Sequence, residues 1–132
     1  MTPQARILSI EDEPGMSSLI QLIFERQGYR VISVKSGEFG LEMLKTLQPD
    51  VLLLDLMLPD IDGWDIYQQM KEDEELARVP VIIISARDAA QDAKNGRRVI
   101  GNDRFVAKPF EVKELIDTVN RALVKEPVNT QV

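Results

Sequence analysis

The chain has 132 residues, which is the usual size of one domain and leaves no room for a second. With 44% hydrophobic and 29% charged residues, its composition is that of a globular protein and excludes the disordered and fibrous classes. The formal net charge of −6 argues against direct binding of this domain to nucleic-acid phosphates or to an anionic membrane surface.

Cysteine and histidine, two residue types that often carry chemistry, do not occur in these 132 residues. Disulfides, thiolate or imidazole metal ligands, thiol nucleophiles and phosphohistidine are therefore excluded within them. Any chemistry has to come from carboxylates, hydroxyls, lysine and arginine. The first apolar run ends at Glu11 and Asp12 and is too short for a signal sequence or a membrane span, so we expect a cytoplasmic domain.

Apolar runs of strand length alternate with segments of helical period along the chain. In chain order, the pattern predicts a strand at 5–10, a helix at 14–27, a strand at 30–34, a helix between Ser36 and Pro49, a strand at 51–54, a helix at 64–72, a strand at 81–84, a helix at 88–99, a strand at 105–107 and a helix at 111–125. The helix at 88–99 is expected to be short or irregular, because it has few large apolar residues and Asn95-Gly96 lies in its middle.

Apolar residues three or four positions apart predict which side of each helix packs inward. The inward side of the first helix is predicted to contain Met16, Leu19, Ile20, Ile23 and Phe24. That of the second helix is predicted to contain Phe39, Leu41, Met43, Leu44 and Leu47.

The runs at 51–54 and 81–84 are apolar at every position, which is typical of strands buried on both faces of a parallel sheet. Five strand-helix units with right-handed crossovers predict an α/β, doubly wound, three-layer domain. The flavodoxin-like (βα)5 order 2-1-3-4-5 is the natural choice, and it places ligands beyond the carboxyl ends of strands one and three. We expect this domain to occupy residues 1–126 and a short polar tail to occupy 127–132.

Polar residues end most of the predicted strands and are therefore expected to meet at one edge of the sheet. Glu11 and Asp12 follow strand one, Asp55 follows strand three, Ser85 follows strand four and Lys108 follows strand five. Three neighbouring carboxylates repel one another unless a cation lies among them, and oxygen-only ligation suits Mg²⁺ or Mn²⁺. A carboxylate beside such an ion can attack phosphorus, and Lys108 could neutralise the transferred group.

Four motifs, taken in order, resemble those of the CheY-like receiver domain of two-component response regulators. They are ILSIEDE at 7–13, DVLLLDLMLPDIDG at 50–63, VIIISA at 81–86 and FVAKPF at 105–110. The resemblance extends from Ala5 to Lys125, which is nearly the whole chain. It implies a magnesium-dependent, phosphorylation-controlled signalling switch, which is not an enzyme beyond its own phosphotransfer and autodephosphorylation.

The resemblance also implies roles for individual residues at the acidic end of the sheet. Asp55 would be the phosphoacceptor. Asp12, Asp55 and the backbone carbonyl of Met57 would bind Mg²⁺, and Glu11 would assist through a bound water. Met57 is apolar where the family often has a polar residue that orients water, so we expect a long-lived phosphoryl group.

Three further roles are implied for strands four and five. Ser85 and Lys108 would contact the phosphoryl group, and Phe105 would change rotamer as Ser85 moves. The Lys108-Pro109 peptide is expected to be cis, an isomer that costs little before proline.

The resemblance places the partners outside these residues. The phosphoryl donor would be a histidine kinase or a phosphotransfer protein, because the chain has no histidine. The output face would be helix four, strand five and helix five, and the family also allows a phosphorylation-dependent dimer. The sequence does not indicate the downstream effector.

Two alternatives remain at this point. One is a pseudo-receiver, an interaction module that keeps the fold without being phosphorylated. The other is a magnesium-dependent phosphohydrolase with Asp55 as the nucleophile, although enzymes of that kind place a second aspartate two residues on, where Met57 stands.

Overall fold

A computed structural model describes residues 4–124, and the predicted tail at 127–132 lies outside them. The elements are β1 (Arg6–Ile10), α1 (Pro14–Arg26), β2 (Arg30–Val34), α2 (Gly37–Leu47), β3 (Val51–Leu54), α3 (Gly63–Glu72), a 3₁₀ turn (Leu76–Arg78), β4 (Val81–Ser85), α4 (Ala89–Lys94), β5 (Arg104–Ala107) and α5 (Val112–Leu123). All four strand pairings are parallel, and the sheet order is β2-β1-β3-β4-β5. The predicted fold class and strand order are confirmed.

The sheet has an apolar cluster on each face, which explains why β3 and residues 81–84 of β4 have no polar positions. In β3, Leu52 and Leu54 belong to the cluster packed against α2 and α3, whereas Val51 and Leu53 belong to the cluster packed against α1 and α5. Successive side chains of a strand point to opposite faces, so a strand covered on both faces has to be apolar throughout.

Two residues predicted to face inward are exposed instead. Phe39 in α2 is 51% exposed, and Leu19 in α1 is 39% exposed. In α2 the buried positions are Gly37, Gly40 and Leu44, and a Cβ at Gly40 would collide with the side chain of Ile10. The helix thus approaches β1 at Gly40, and Phe39, the residue before it, lies on the solvent side.

Leu19 has a different reason for its exposure. The buried stripe of α1 is centred on Ile20, Ile23 and Phe24, and Leu19 lies at the edge of that stripe. Within residues 4–124, no helix has the length and apolar composition that crossing a membrane requires.

The fourth helix is short, as its sequence predicts. Asp88 caps it through hydrogen bonds from the backbone N–H groups of Ala90 and Gln91, and the helix ends at Lys94. Gly96 follows with a φ of +80°, a conformation that side chains other than glycine rarely adopt. The helix therefore has six residues, of which Asp92 is buried.

Candidate functional site

The strand register brings the predicted site residues to one edge of the sheet. Ile10 is paired with Leu54, so the next residues, Glu11 and Asp55, emerge side by side. The backbone N–H of Asp55 donates to the carbonyl of Ile10 at 3.0 Å, which continues the ladder to the phosphoacceptor candidate. On the other side of Asp55, the N–H of Lys108 donates to the Ser85 carbonyl at 2.9 Å, and the Lys108-Pro109 peptide is cis, as expected.

Lys108 joins the two buried carboxylates of this edge. Its Nζ lies 3.0 Å from Glu11 Oε1 and 3.1 Å from Asp55 Oδ2. Glu11 is 2% exposed and Asp55 is 6% exposed, so this ammonium group compensates carboxylates that have lost most of their contact with water.

The site contains more negative than positive charge. Burial raises the pKa of Glu11, and the nearby charge of Asp55 adds to this, while the hydrogen bond from Lys108 only partly offsets it. Burial acts to lower the pKa of Lys108, but the hydrogen bond to Glu11 and the charge of Asp55 outweigh it and raise that pKa. Lys108 is therefore protonated and yet does not balance both acids.

Asp12 adds a third carboxylate on the solvent side. It is exposed, and one carboxylate oxygen from each of Glu11, Asp12 and Asp55 lies within 4.8 Å of the others. Oxygen ligands of this charge, with one side open to water, fit Mg²⁺ or Mn²⁺ and do not fit the nitrogen and sulfur preference of zinc. The residues present thus fit the ion that the sequence predicts.

The loop after β3 orients the Asp55 carboxylate. The backbone N–H of Met57 donates to Asp55 Oδ1 at 3.0 Å, while the Met57 side chain is 57% exposed. Met57 also forms an isolated antiparallel bridge with Asp62, which closes this loop. The two Asp55 oxygens therefore have different partners, Met57 on one side and Lys108 on the other.

Ser85 and Phe105 lie on the neighbouring strands β4 and β5. Ser85 is fully buried, and its Oγ accepts a hydrogen bond from the backbone N–H of Arg87 at 3.3 Å. The half-buried ring of Phe105 lies 6.3 Å from the indole of Trp64, measured between centroids. Ser85 lies at the end of β4 beside this edge, whereas Phe105 pairs with Ile83 two positions further back, and their implied roles stay predictions.

Sequence reasoning missed an ion-pair cluster beside this edge. Arg87 contacts Asp62 at 2.9 Å and Asp92 at 2.8 Å, and the indole N–H of Trp64 donates to Asp92 at 3.0 Å. Asp62 also caps α3 through the N–H of Trp64 at 2.8 Å. An aspartate before a helix start does signal a cap, but no pattern in the sequence indicates that Arg87 joins these two acids.

Fold and site together define a doubly wound domain with a cluster of three carboxylates at its topological switch point. The family model described as the response regulator receiver domain matches residues 7–120. The chain belongs to this family of two-component signalling domains, which confirms the resemblance carried by its four motifs.

Two relatives support this assignment, one matched over nearly its whole length and one over about half of it. Protein PilH of Pseudomonas aeruginosa is 30% identical over 119 residues, which cover 90% of this chain and 98% of PilH. The DNA-binding dual master transcriptional regulator RpaA of Synechocystis is 39% identical over 120 residues, which cover 91% of this chain and 49% of RpaA. The chain thus spans about half the length of RpaA, and the same holds for several other transcriptional regulators that it matches.

A solved structure shows the same fold with a metal in place. The receiver domain of a Pseudomonas aeruginosa sensor histidine kinase, with a magnesium ion coordinated in its active site cleft, is 27% identical and has a TM-score of 0.82. The match covers 93% of this chain and 100% of that chain. In this chain, Glu11, Asp12 and Asp55 form a cluster of carboxylates that could hold a metal ion.

Proposed function

We propose that Asp55 accepts a phosphoryl group and that its phosphorylation switches the domain between two signalling states. The observation that carries this proposal is the contact of Asp55 with Lys108 at 3.1 Å within a cluster of three carboxylates. In the reaction, an Asp55 oxygen attacks the phosphorus of the donor and an acyl phosphate forms. The bond from phosphorus to the leaving group breaks, and the leaving group takes the electron pair.

Other residues of the site prepare this transfer. Lys108 supplies positive charge on one side of the transferred group, and the N–H of Met57 holds the Asp55 carboxylate in one orientation. Ser85 contributes a hydroxyl for a third phosphoryl oxygen. Glu11, Asp12, Asp55 and the Met57 carbonyl would hold Mg²⁺, with Mn²⁺ as the alternative, and the ion would neutralise charge on the phosphoryl oxygens.

The decisive experiment is incubation with acetyl phosphate and Mg²⁺ followed by intact-mass measurement. The wild type is expected to gain the mass of one phosphoryl group, and Asp55→Asn is expected to gain none because its amide cannot attack phosphorus. Asp65→Asn is a matched control, since Asp65 is an exposed acid in the first turn of α3.

Each other outcome points to a different function. A wild type that gains no mass would contradict the proposal and favour a pseudo-receiver. Rapid turnover that releases many equivalents of inorganic phosphate without accumulation of phosphoprotein, abolished by Asp55→Asn, would favour a phosphohydrolase. A single stable phosphoryl group is the result that supports a signalling domain and not an enzyme.

The proposal includes the partners. Because these 132 residues contain no histidine, a phosphohistidine donor has to lie outside them, on a histidine kinase or a phosphotransfer protein. A cytoplasmic location, where ATP sustains such kinases, is part of the proposal. We assign the output face, and any phosphorylation-dependent dimer contact, to α4, β5 and α5, and we assign no nucleic-acid or membrane contact to this domain.

The exposed Met57 side chain leads to a prediction about the lifetime of the phosphoryl group. An apolar side chain next to the acyl phosphate cannot orient an attacking water by hydrogen bonding. Met57→Asn is therefore expected to speed autodephosphorylation by about tenfold, somewhat less than a fully positioned general acid or base contributes. Release of inorganic phosphate from purified phosphoprotein measures the rate, and an unchanged or slower rate in the variant would refute this reasoning.

A further inference from the structure

The cluster around Arg87 connects three separate parts of the molecule. Arg87 lies two residues after Ser85, in the loop between β4 and α4. Its guanidinium contacts Asp62, in the loop that follows β3, and Asp92, in α4. The fork of the guanidinium uses Nη1 for the first acid and Nη2 for the second, so both ion pairs exist together.

One end of the cluster reaches the phosphorylation site. Asp62 forms the antiparallel bridge with Met57, and the Met57 N–H donates to Asp55 at 3.0 Å. The backbone N–H of Arg87 itself donates to the Ser85 hydroxyl. Movement of the Met57 loop therefore acts on Asp62, a partner of the Arg87 side chain, and movement of Ser85 acts on the Arg87 backbone.

The other end of the cluster holds α4 in place. Asp92 is the buried residue of this helix, with a side chain 8% exposed, and its partners are the Arg87 guanidinium and the Trp64 indole. The hydrogen bond from Trp64, followed by Arg87, lowers the pKa of Asp92, so the carboxylate stays charged. The buried contact of α4 is thus polar and consists of an ion pair with Arg87 and a hydrogen bond from Trp64.

The burial of these groups favours a strong interaction. The side chains of Arg87 and Asp62 are 27% and 29% exposed, so solvent screens them less than a pair on the open surface. Arg97 adds a weaker contact to Asp62 at 3.4 Å. Within residues 4–124, the exposed Arg98 makes no ion pair, which makes it a suitable control.

We propose that Arg87 is a positioning residue that transmits the state of Asp55 to α4, through its simultaneous ion pairs with Asp62 and Asp92. This inference rests on the proposed function, because the signal it transmits is phosphorylation. Arg87 does not touch the reacting atoms. Loss of its side chain should leave the transfer of the phosphoryl group to Asp55 intact. The response of α4 to that phosphorylation should weaken.

NMR of isotopically labelled full chain tests the coupling, together with the mass measurement. Trp64 is the only tryptophan, so its indole N–H gives one resonance next to Asp92, and the amides of Ala89–Lys94 report on α4. In the wild type and in Arg98→Gln, phosphorylation is expected to shift these resonances. In Arg87→Gln the protein should still gain the phosphoryl mass, but the shifts should fall by at least about twofold, as expected for loss of a coupled ion pair.

Two further variants separate coupling from a local structural effect. Arg87→Lys keeps the charge but lacks the fork, so it should give intermediate shifts. Asp92→Asn should reduce the shifts like Arg87→Gln, and the double variant should be no worse than either single one.

The outcomes distinguish this inference from the function on which it rests. A wild type that gains no phosphoryl mass would refute the proposed function and the coupling with it. An Arg87→Gln protein that gains the mass and shows the full wild-type shifts would refute the coupling alone. The coupling is likewise refuted if Arg87→Gln changes the resonances of the unphosphorylated protein but not their response to phosphorylation.

Discussion

Replacing Lys108 with alanine is expected to slow phosphorylation of Asp55 by acetyl phosphate about 100-fold, the cost of removing one positioned donor from a transition state. Lys108 is the cation that the structure places within 3.1 Å of both Asp55 and Glu11. The rate of mass gain at fixed acetyl phosphate concentration measures the effect. A wild-type rate in Lys108→Ala would remove Lys108 from the proposed mechanism.

Mg²⁺ binding to the same variant should change in the opposite direction. The ammonium group competes with a cation for the oxygens of Glu11 and Asp55, so its removal is expected to tighten Mg²⁺ binding, as measured by calorimetry. Lys108→Arg keeps the charge and should restore part of the phosphorylation rate. Such partial recovery would show that the loss in Lys108→Ala comes from the missing charge and not from a folding defect. Lys113→Ala, at an exposed position in α5, should change neither property.

Substitution of Gly63 with alanine is expected to lower the free energy of unfolding by about 3 kcal/mol, as overpacking against a fixed backbone does. An added Cβ would lie 2.5 Å from Leu56 Cα and 2.7 Å from the carbonyl oxygen of Asp55. These are backbone atoms at the end of β3, so the conflict cannot be relieved by a side-chain rotation. Urea unfolding measures the loss as a lower midpoint at an unchanged slope.

Gly15 provides the matched control for that substitution. It lies in α1, and an added Cβ would meet nothing within 4 Å. Gly15→Ala should therefore raise the free energy of unfolding by about 0.5 to 1 kcal/mol, because alanine favours the helix. Equal effects of the two substitutions would contradict the argument from backbone contact.

The sequence was sufficient for the strands and for most of the acidic site, because both depend on local pattern and strand register. β2 and β3 have the predicted bounds, and Glu11, Asp12 and Asp55 meet because parallel strands end at a common edge. Helix faces were harder to predict. Phe39 is exposed because α2 approaches the sheet closely at Gly40. The period of apolar residues in a helix does not reveal how closely that helix approaches the sheet.

Long-range polar contacts were beyond the reach of sequence reasoning. Asp103 is buried, where its carboxylate accepts from the N–H of Val81 at 2.8 Å and the hydroxyl of Tyr67 at 2.7 Å and pairs with Lys71 at 2.8 Å. In the sequence it is one acid among many in a loop. Its partners, like those of Arg87, depend on how the loops pack against the sheet, which composition and periodicity do not determine.

The strands differ in burial, and we therefore expect different parts of the molecule to differ in the free energy of local opening. β3 and β4 are buried at every position, whereas β5 has a single buried residue and α4 is attached through a charged one. Elements with few buried apolar contacts open at the lowest free energy, while central strands exchange their amide protons only when the whole domain unfolds. Asp55 thus follows directly on the strand that opens least easily. The elements proposed to respond to its phosphorylation, α4 and β5, are those that open most easily.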